Sequence, residues 1–287
     1  MNKLLCIYHG NCADGFGAAC IVRDEYGKEG VEFFAGHYGE SPPDVTSREV
    51  LMVDFTYKRP ILLEMAKQAK SILILDHHAS AEKDLIDLPE NVTVNFDMTR
   101  SGAMMAWDYF NNYIEAPQLI KHIQDRDLWL FDLPRTEAIQ AALFSYAYDF
   151  ELWNSFIFPK YGISSMKDSE EVVLKVLYKD GIAIARKHSK DVKELIEAAS
   201  YRGFLADYEV PMLNAPYFYA SEAGHELCKG ESFAVTYYDT GTHRKFSLRS
   251  DKVDGVDVSE IAKKYGGGGH KNAAGFAMSL ELLDELL

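Results

Sequence analysis

Residues 71–80 read SILILDHHAS, an almost continuous apolar run that ends in one carboxylate and two imidazoles. A strand that is apolar on both faces is typical of a parallel sheet covered by helices on each side. Asp76, His77 and His78 then lie at the carboxyl end of the strand, where open parallel sheets bind their ligands. This stretch therefore predicts an α/β fold with a functional site at that edge of the sheet.

The sequence before and after this strand indicates two domains. Three β-rich runs precede it: KLLCIY at 3–8, VEFFA at 31–35 and VLMVD at 50–54. Segments with helical spacing lie between them, as in βαβ units, and residues 115–200 continue that spacing. The Gly- and Pro-containing segment 201–216 is interpreted as the boundary. We predict a parallel-sheet domain with a helical extension at 1–200, and a smaller α+β domain at 201–287.

The composition excludes several functional classes. With 44 acidic and 30 basic residues, a net charge of -14 argues against binding long duplex DNA, which needs a basic surface. No apolar run approaches the ~18 residues of a membrane span, and the N-terminus lacks a signal sequence. The four cysteines show no paired spacing, which indicates reduced thiols. We expect a cytoplasmic protein without membrane contact.

Metal-binding side chains also follow other predicted elements. They are His9, Cys12 and Asp14 after the first strand, Asp54 in VLMVD, and Asp125 and Asp127 after a helix. A single aspartate at such a position is usually a helix cap or turn residue. Several at one edge would repel one another unless cations neutralised them. Mixed imidazole and carboxylate ligands suit Mn²⁺, Fe²⁺ or Zn²⁺, and a cation pair is a common device for phosphoester hydrolysis.

Two motifs together carry a family resemblance. With LILDHHAS at 73–80 and YGGGGHKNAAGF at 265–276, the chain resembles the DHH phosphoesterases that carry a Gly-rich C-terminal domain. That family includes RecJ-type exonucleases, nano-RNases and cyclic-dinucleotide phosphodiesterases. The resemblance covers nearly the whole chain and implies an active-site cleft between the two domains.

The resemblance also implies an activity. It is the hydrolysis of phosphodiester or phosphomonoester bonds in short nucleotides by a metal-bound hydroxide, with two divalent cations, Mn²⁺ first among them. The substrates would be short single-stranded oligonucleotides, nucleoside bisphosphates or cyclic dinucleotides, and a homodimer is compatible with it. The alternative is a non-catalytic nucleotide-binding protein on the same fold.

The family's residue roles transfer to matching positions. The implied metal ligands are His9, Asp14, Asp54, His77 and Asp125, with Asp127 as the alternative to Asp125. Asp76 would orient His77, and His78 would lie near the phosphate as an electrophile or as the acid to the leaving oxygen.

Substrate contacts are expected from the C-terminal domain. The implied residues are Arg249, Gly267, Gly268, Gly269 and His270. Glycines let backbone amides approach an anion, although the same composition also fits a flexible connection. Arg100 and Ser101 are further candidates because they precede a predicted helix whose N-terminus could face the site.

The first motif departs from the family pattern. The family places two aspartates, one residue apart, after its first histidine, and here Cys12 stands where the earlier one is absent. Cys12 could bind as a thiolate, which would favour Zn²⁺ or Fe²⁺. Asn11 could instead supply a neutral oxygen, or water could take the position.

Overall fold

The computed structural model describes residues 3–82, 85–159 and 166–284. The chain divides into two compact units, Met1–Ala185 and Arg186–Leu287, and the division lies inside one long helix. The functional domains 1–200 and 201–287 stay a prediction. In the described parts of the chain, no helix combines the length and the apolar character needed to cross a bilayer.

The first unit alternates strands and helices and then becomes helical. Its elements are β1 (Leu4–His9), α1 (Ala13–Tyr26), β2 (Val31–Gly36), β3 (Glu49–Val53), α2 (Arg59–Gln68), β4 (Ser71–Asp76), α3 (Ala79–Glu82), β5 (Val92–Phe96), α4 (Gly102–Asn111), α5 (Gln118–Asp127), α6 (Thr136–Leu143), α7 (Phe150–Ile157) and α8 (Met166–Ala199). The predicted α/β class is therefore confirmed. Strand β5 was not predicted from the sequence, because its side chains are mostly half-exposed and its sequence contains no long apolar run.

The sheet of the first unit is parallel throughout, in the order β2-β1-β3-β4-β5. In this order the chain leaves β1 towards β2 on one side and leaves β3 towards β4 on the other, so the ends of β1 and β3 form a topological switch point. Tyr8 is paired with Val53, and one residue further along come His9 and Asp54. The topology thus places these two residues where such sheets bind ligands.

Both faces of this sheet are covered. Along β1, Leu5 and Ile7 face one hydrophobic cluster, whereas Cys6 faces the other, as the two-residue period of a strand requires. The first cluster contains Leu62 of α2, and the second contains Phe16 of α1. Burial on both faces explains why the strand sequences are apolar almost without interruption.

The second unit is a mixed α+β fold. After the end of α8 it contains β6 (Tyr201–Leu205), β7 (Tyr208–Asn214), α9 (Ala220–Leu227), β8 (Ala234–Asp239), β9 (His243–Arg249), α10 (Val258–Lys264), β10 (Gly268–His270), β11 (Ala273–Ser279) and α11 (Leu280–Asp284). The strand order is β10-β11-β9-β8-β7-β6, and only β7 and β8 run parallel.

The segment 201–216 forms two paired strands of the second sheet. It contains the β6–β7 hairpin, whose two turn residues Ala206 and Asp207 both have positive φ, 49° and 68°. A two-residue turn with this backbone suits the twist of paired strands but usually carries Asn-Gly or Asp-Gly. The hairpin was not predicted from the sequence because Ala206-Asp207 is an unusual pair for such a turn. The last helix, α11, is described through Asp284, and residues 285–287 lie outside the described part.

Candidate metal centre

Asp54 lies at the centre of the polar cluster at the carboxyl edge of the parallel sheet. Its backbone is in the left-handed region (φ 55°), which aspartate tolerates better than most residues, and its amide donates to the Leu75 carbonyl at 2.9 Å. The side chain is only 1% exposed. The turn after β3 therefore directs one carboxylate into the interior beside β4.

The two oxygens of Asp54 contact different histidines. Oδ1 lies 3.1 Å from His77 Nε2, and Oδ2 lies 3.4 Å from His9 Nδ1. Burial alone would raise the pKa of the Asp54 carboxyl, but the hydrogen bond with His77 and the interaction with the nearby His9 ring outweigh it and hold the pKa well below its usual range. Asp54 is therefore an ionised carboxylate between two imidazoles.

Two groups of potential ligand atoms meet at this carboxylate. The first group is His9, Cys12 and Asp54, and the second is Asp14, His77 and Asp127. Within each group, one ligand atom per residue lies within 4.8 Å of the others. Since metal–ligand bonds of these atom types measure about 2.0–2.3 Å, each group can converge on one cation through small side-chain rotations.

Asp14 is held by the helix that follows β5. Its carboxylate accepts hydrogen bonds from the amides of Gly102 (2.5 Å) and Ala103 (3.0 Å) at the N-terminus of α4. A Cβ at residue 102 would lie 2.4 Å from Asp54 Cβ, so only glycine allows this approach. Burial, together with the charges of Asp54 and Asp127, raises the pKa of Asp14 well above its usual value.

Asp76 is fully buried and acts mainly on the two histidines that follow it. Its Oδ1 accepts from the His77 amide at 2.8 Å and lies 2.6 Å from His78 Nδ1, while Oδ2 accepts from the Thr56 hydroxyl at 2.7 Å. Burial opposes ionisation, but the charge and hydrogen bond of His78 lower the pKa of Asp76. The imidazole that Asp76 orients directly is therefore that of His78.

His77 is surrounded by carboxylates. Its Nε2 lies 3.1 Å from Asp54, 3.5 Å from Asp127 and 3.8 Å from Asp14. Burial disfavours the charged ring, but the hydrogen bond to Asp54 and the charges of Asp127, Asp54 and Asp14 raise the pKa of His77 to about 10. Without a cation, the imidazolium neutralises part of this negative cluster.

The two aspartates of α5 have different surroundings. Asp125 is buried, and its carboxylate accepts from the amides of Asp132 (2.8 Å) and Leu133 (3.2 Å) and from the Thr136 hydroxyl (2.5 Å). Asp127 is more exposed and lies beside His77; partial desolvation of its carboxylate, together with the charge of Asp54, raises its pKa. The geometry thus brings Asp127, rather than the favoured Asp125, into the cluster.

Two candidates near the N-terminus of α4 are engaged within the fold. Arg100 donates to Asp97 and Asp108, both at 2.7 Å. Ser101 is fully buried and caps α4 by accepting from the Met104 amide at 3.3 Å. Their side chains stabilise the start of this helix, whose amides bind Asp14.

The candidate substrate residues of the second unit lie on or next to the two strands that flank β11. Arg249, at the end of β9, donates to the Ser221 hydroxyl and to the Leu248 carbonyl, each at 2.9 Å. Gly268, Gly269 and His270 form β10 and pair with β11, so the glycine segment is a strand rather than a flexible connection. Gly267 precedes this strand, and a Cβ there would lie 2.1 Å from the Gly275 carbonyl oxygen.

Sequence analysis missed two residues near the cluster. The ring of Tyr38 lies 5.5 Å from that of His9 and 6.3 Å from that of His78, and it is 49% exposed. Thr56 binds Asp76 as described above. Both residues follow the ends of parallel strands within three positions, so the rule that identified Asp54 could also have found them.

Comparisons with known proteins agree with this architecture. Residues 225–287 match the model of the DHHA1 domain. The fold is similar to that of the DHH domain of a member of the s1p family of ribosomal proteins, with a TM-score of 0.60, 15% identity, and coverage of 99% of this chain and 84% of that one. Residues 225–287 are therefore a DHHA1 domain, and the fold of the chain resembles that of a DHH domain. The resemblance inferred from the sequence is confirmed.

The chain is also similar to a viral protein and to two further solved structures. An uncharacterized protein of Acanthamoeba polyphaga mimivirus is 29% identical over 95% of this chain and 67% of its own length. RecJ from Thermus thermophilus in complex with Mn²⁺ has a TM-score of 0.48 and 15% identity, covering 99% of this chain and 50% of RecJ. A pGpG-specific phosphodiesterase from Vibrio cholerae has a TM-score of 0.46 and 15% identity, with 99% and 96% covered.

Proposed function

We propose that this protein is a divalent-metal-dependent hydrolase of the DHH family that cleaves phosphoester bonds in short nucleotides. The observation that carries the proposal is the position of Asp54, whose two oxygens contact members of two different ligand groups. A carboxylate shared in this way is the usual bridge of a binuclear hydrolytic site. The family supports phosphoester hydrolysis in general, and the restriction to short nucleotides is our inference.

The residues of the cluster fit a pair of cations. Among the described atoms, His9 Nδ1 and Asp54 Oδ2 are buried and have no hydrogen-bond partner. Buried polar atoms without partners are costly, and a cation between them would satisfy both. His9, Cys12 and Asp54 would hold one cation, and Asp14, Asp54, His77 and Asp127 the other. Imidazole with carboxylate is compatible with Mn²⁺.

The chain's own groups would orient the substrate and supply a proton. Bound divalent cations activate water and offset the charge that develops on phosphate oxygens. Asp76 fixes His78 through Nδ1 at 2.6 Å, so the opposite edge of the ring would serve the substrate. Burial opposes protonation of His78, but Asp76 raises its pKa above the ordinary value. His78 would therefore carry the proton that the leaving oxygen needs.

The substrate class follows from charge. A chain with a net charge of -14 has no surplus of cationic groups for a long polyanion, so substrate charge would be met locally. We propose Arg249, Gly267, Gly268, Gly269 and His270 as contacts of the nucleotide. Arg100 and Ser101 are proposed to support α4 instead, since their side chains already bind within that region.

The test is a substrate panel with matched variants. Purified protein is incubated with Mn²⁺, Zn²⁺ or Fe²⁺ and with bis-p-nitrophenyl phosphate, a labelled dinucleotide, adenosine bisphosphate or a long single strand. We expect cleavage of short nucleotides in preference to the long strand, and loss of cleavage after chelation. No cleavage with any cation would reject the proposal. Tight nucleotide binding without cleavage would instead support the non-catalytic alternative.

A further inference from the structure

We propose that Cys12 is a thiolate ligand of the cation at the His9–Asp54 position. This position would therefore select a thiophilic cation, such as Zn²⁺ or Co²⁺, more strongly than a site with oxygen in place of sulfur. The inference rests on the proposed function because it assumes that the cluster binds metal. It goes further by assigning a different preference to one half of the centre.

The placement of Cys12 distinguishes it from the other cysteines. Cys12 is the N-cap residue of α1, with extended backbone (φ -125°), and it is partly exposed. Cys6, Cys20 and Cys228 are buried. The ligand atoms of Cys12, His9 and Asp54 lie within 4.8 Å of one another. The thiol is thus part of a three-residue group rather than an isolated cysteine.

A second observation points to a ligand at the same place. Asp54 is 99% buried, its Oδ2 has no hydrogen-bond partner among the described atoms, and this oxygen lies 3.4 Å from His9 Nδ1. His9 Nδ1 is also buried without such a partner. A ring nitrogen and a carboxylate oxygen, both without a hydrogen-bond partner among the described atoms, therefore face each other next to a thiol. A cation can accept an electron pair from the nitrogen, the oxygen and the sulfur at once, whereas a single hydrogen bond would satisfy only two of these atoms.

Sulfur changes which cation is preferred. On binding, the Cys12 S–H bond breaks, its proton passes to the solvent, a sulfur–metal bond forms, and no residue is oxidised or reduced. Thiolate ligands favour Zn²⁺ and related borderline cations, whereas carboxylate and water suit Mg²⁺ and Mn²⁺. The family pattern has an aspartate here, so Cys12→Asp converts one type of ligand set into the other.

The test uses Co²⁺ as a spectroscopic probe in the full-length protein. Co²⁺ bound to a thiolate gives a near-ultraviolet sulfur-to-metal absorption band, which oxygen and nitrogen ligands do not produce. We expect this band in the wild type, its loss in Cys12→Ser and Cys12→Asp, and its retention in Cys228→Ser. Cys228→Ser is the matched control, because its hydroxyl can keep the hydrogen bond to the His225 carbonyl. Competition titrations should also show the Zn²⁺/Mn²⁺ affinity ratio falling at least tenfold in Cys12→Asp.

The failure of this inference is distinguishable from failure of the proposed function. If the wild type binds Co²⁺ but shows no sulfur band, or if Cys12→Ser keeps the band, Cys12 is not a ligand and the metal centre survives. If the wild type binds no Co²⁺, Zn²⁺ or Mn²⁺, the metal centre itself is rejected together with the inference. An unchanged Zn²⁺/Mn²⁺ ratio in Cys12→Asp also overturns the inference.

Discussion

The two sheets of this protein differ in the kind of polar side chain that is buried beside them. At the carboxyl edge of the first sheet, Asp14, Asp54, Asp76 and His77 are each at most 2% exposed. Among the described residues of the second unit, the buried polar side chains are the hydroxyls of Thr236, Ser250 and Ser259. Buried ionisable groups cost free energy unless they are compensated, so they mark chemistry rather than folding. We therefore propose that the first sheet carries out catalysis and that half-buried groups of the second unit recognise the substrate.

The largest expected effect comes from removing the shared carboxylate. Asp54→Asn keeps the shape of the side chain but removes the charge between the two ligand groups. We expect hydrolysis to fall on the order of a thousandfold and metal stoichiometry to fall below two, because both cations lose a ligand. Steady-state rates and metal analysis of the purified variant measure these effects.

The matched control for Asp54→Asn is an aspartate of the other sheet. Asp239→Asn removes an exposed carboxylate that pairs with Arg244, and we expect near-normal turnover and metal content. Equal losses in both variants would contradict the assignment of catalysis to the first sheet. Normal turnover in Asp54→Asn would eliminate the binuclear model.

The second prediction separates Asp127 from Asp125. Asp127→Asn should weaken metal binding at least ~10-fold, since its carboxylate lies beside His77. The raised pKa of Asp127 means that its ionised form is disfavoured in the fold, a cost that grows as pH rises through that pKa. At neutral pH the metal-free Asp127→Asn variant should therefore melt no lower than the wild type, as measured by calorimetry with and without cation.

Asp125→Ala should show the opposite behaviour. It leaves the amides of Asp132 and Leu133 without their carboxylate acceptor, which should lower the free energy of unfolding by about 1–3 kcal/mol. Metal affinity of the folded fraction should be retained. A variant that loses metal but keeps its stability would instead identify Asp125 as a ligand.

The third prediction concerns pH. Because the pKa of metal-free His77 is about 10, its ring is protonated at neutral pH and must release that proton to bind a cation. The apparent affinity for the cation at the His77 position should therefore rise at least ~10-fold per pH unit between pH 6 and 9. Calorimetric titrations in buffers of different ionisation enthalpy count the released protons. An affinity that does not change with pH would exclude His77 as a ligand.

Strands, helices and their ends follow from local sequence patterns and could be predicted from the sequence. The direction in which a side chain faces was predicted less well. Strand ends located His9, Asp54 and Asp76 at one edge, because that placement follows from strand polarity alone. The choice between Asp125 and Asp127 depends on helix rotation: two residues apart is about 200° around a helix, so the two carboxylates face opposite directions. Only the loop at 128–136, with amides that bind Asp125, decides which one faces His77.

The role of Ser101 could not be predicted for a similar reason. The sequence does not distinguish a serine whose hydroxyl caps the following helix from one whose hydroxyl contacts a ligand. The decision comes from the close approach of α4 to Asp14 and Asp54, which buries Ser101 completely. Such contacts involve residues that are far apart in the chain, so they cannot be predicted from local patterns in a single sequence.

The smallest expected effect lies in the second sheet and tests recognition without chemistry. Arg249 packs against α9, where a Cβ added at Gly224 would lie 2.7 Å from Arg249 Cγ. Gly224→Ala should therefore displace the guanidinium, and Arg249→Lys should remove its planar pair of donors. We expect KM to rise about 3- to 10-fold in both variants with kcat and metal content unchanged, which corresponds to the loss of roughly one hydrogen bond.

The control for these variants lies on the same strand. Arg244→Lys alters an arginine that is already paired with Asp239, so KM should stay near the wild-type value. A fall in kcat without a change in KM after Arg249→Lys would mean that the guanidinium acts on the reacting phosphate. The division between a catalytic first sheet and a recognising second sheet would then be wrong, because a residue of the second sheet would take part in the chemistry itself.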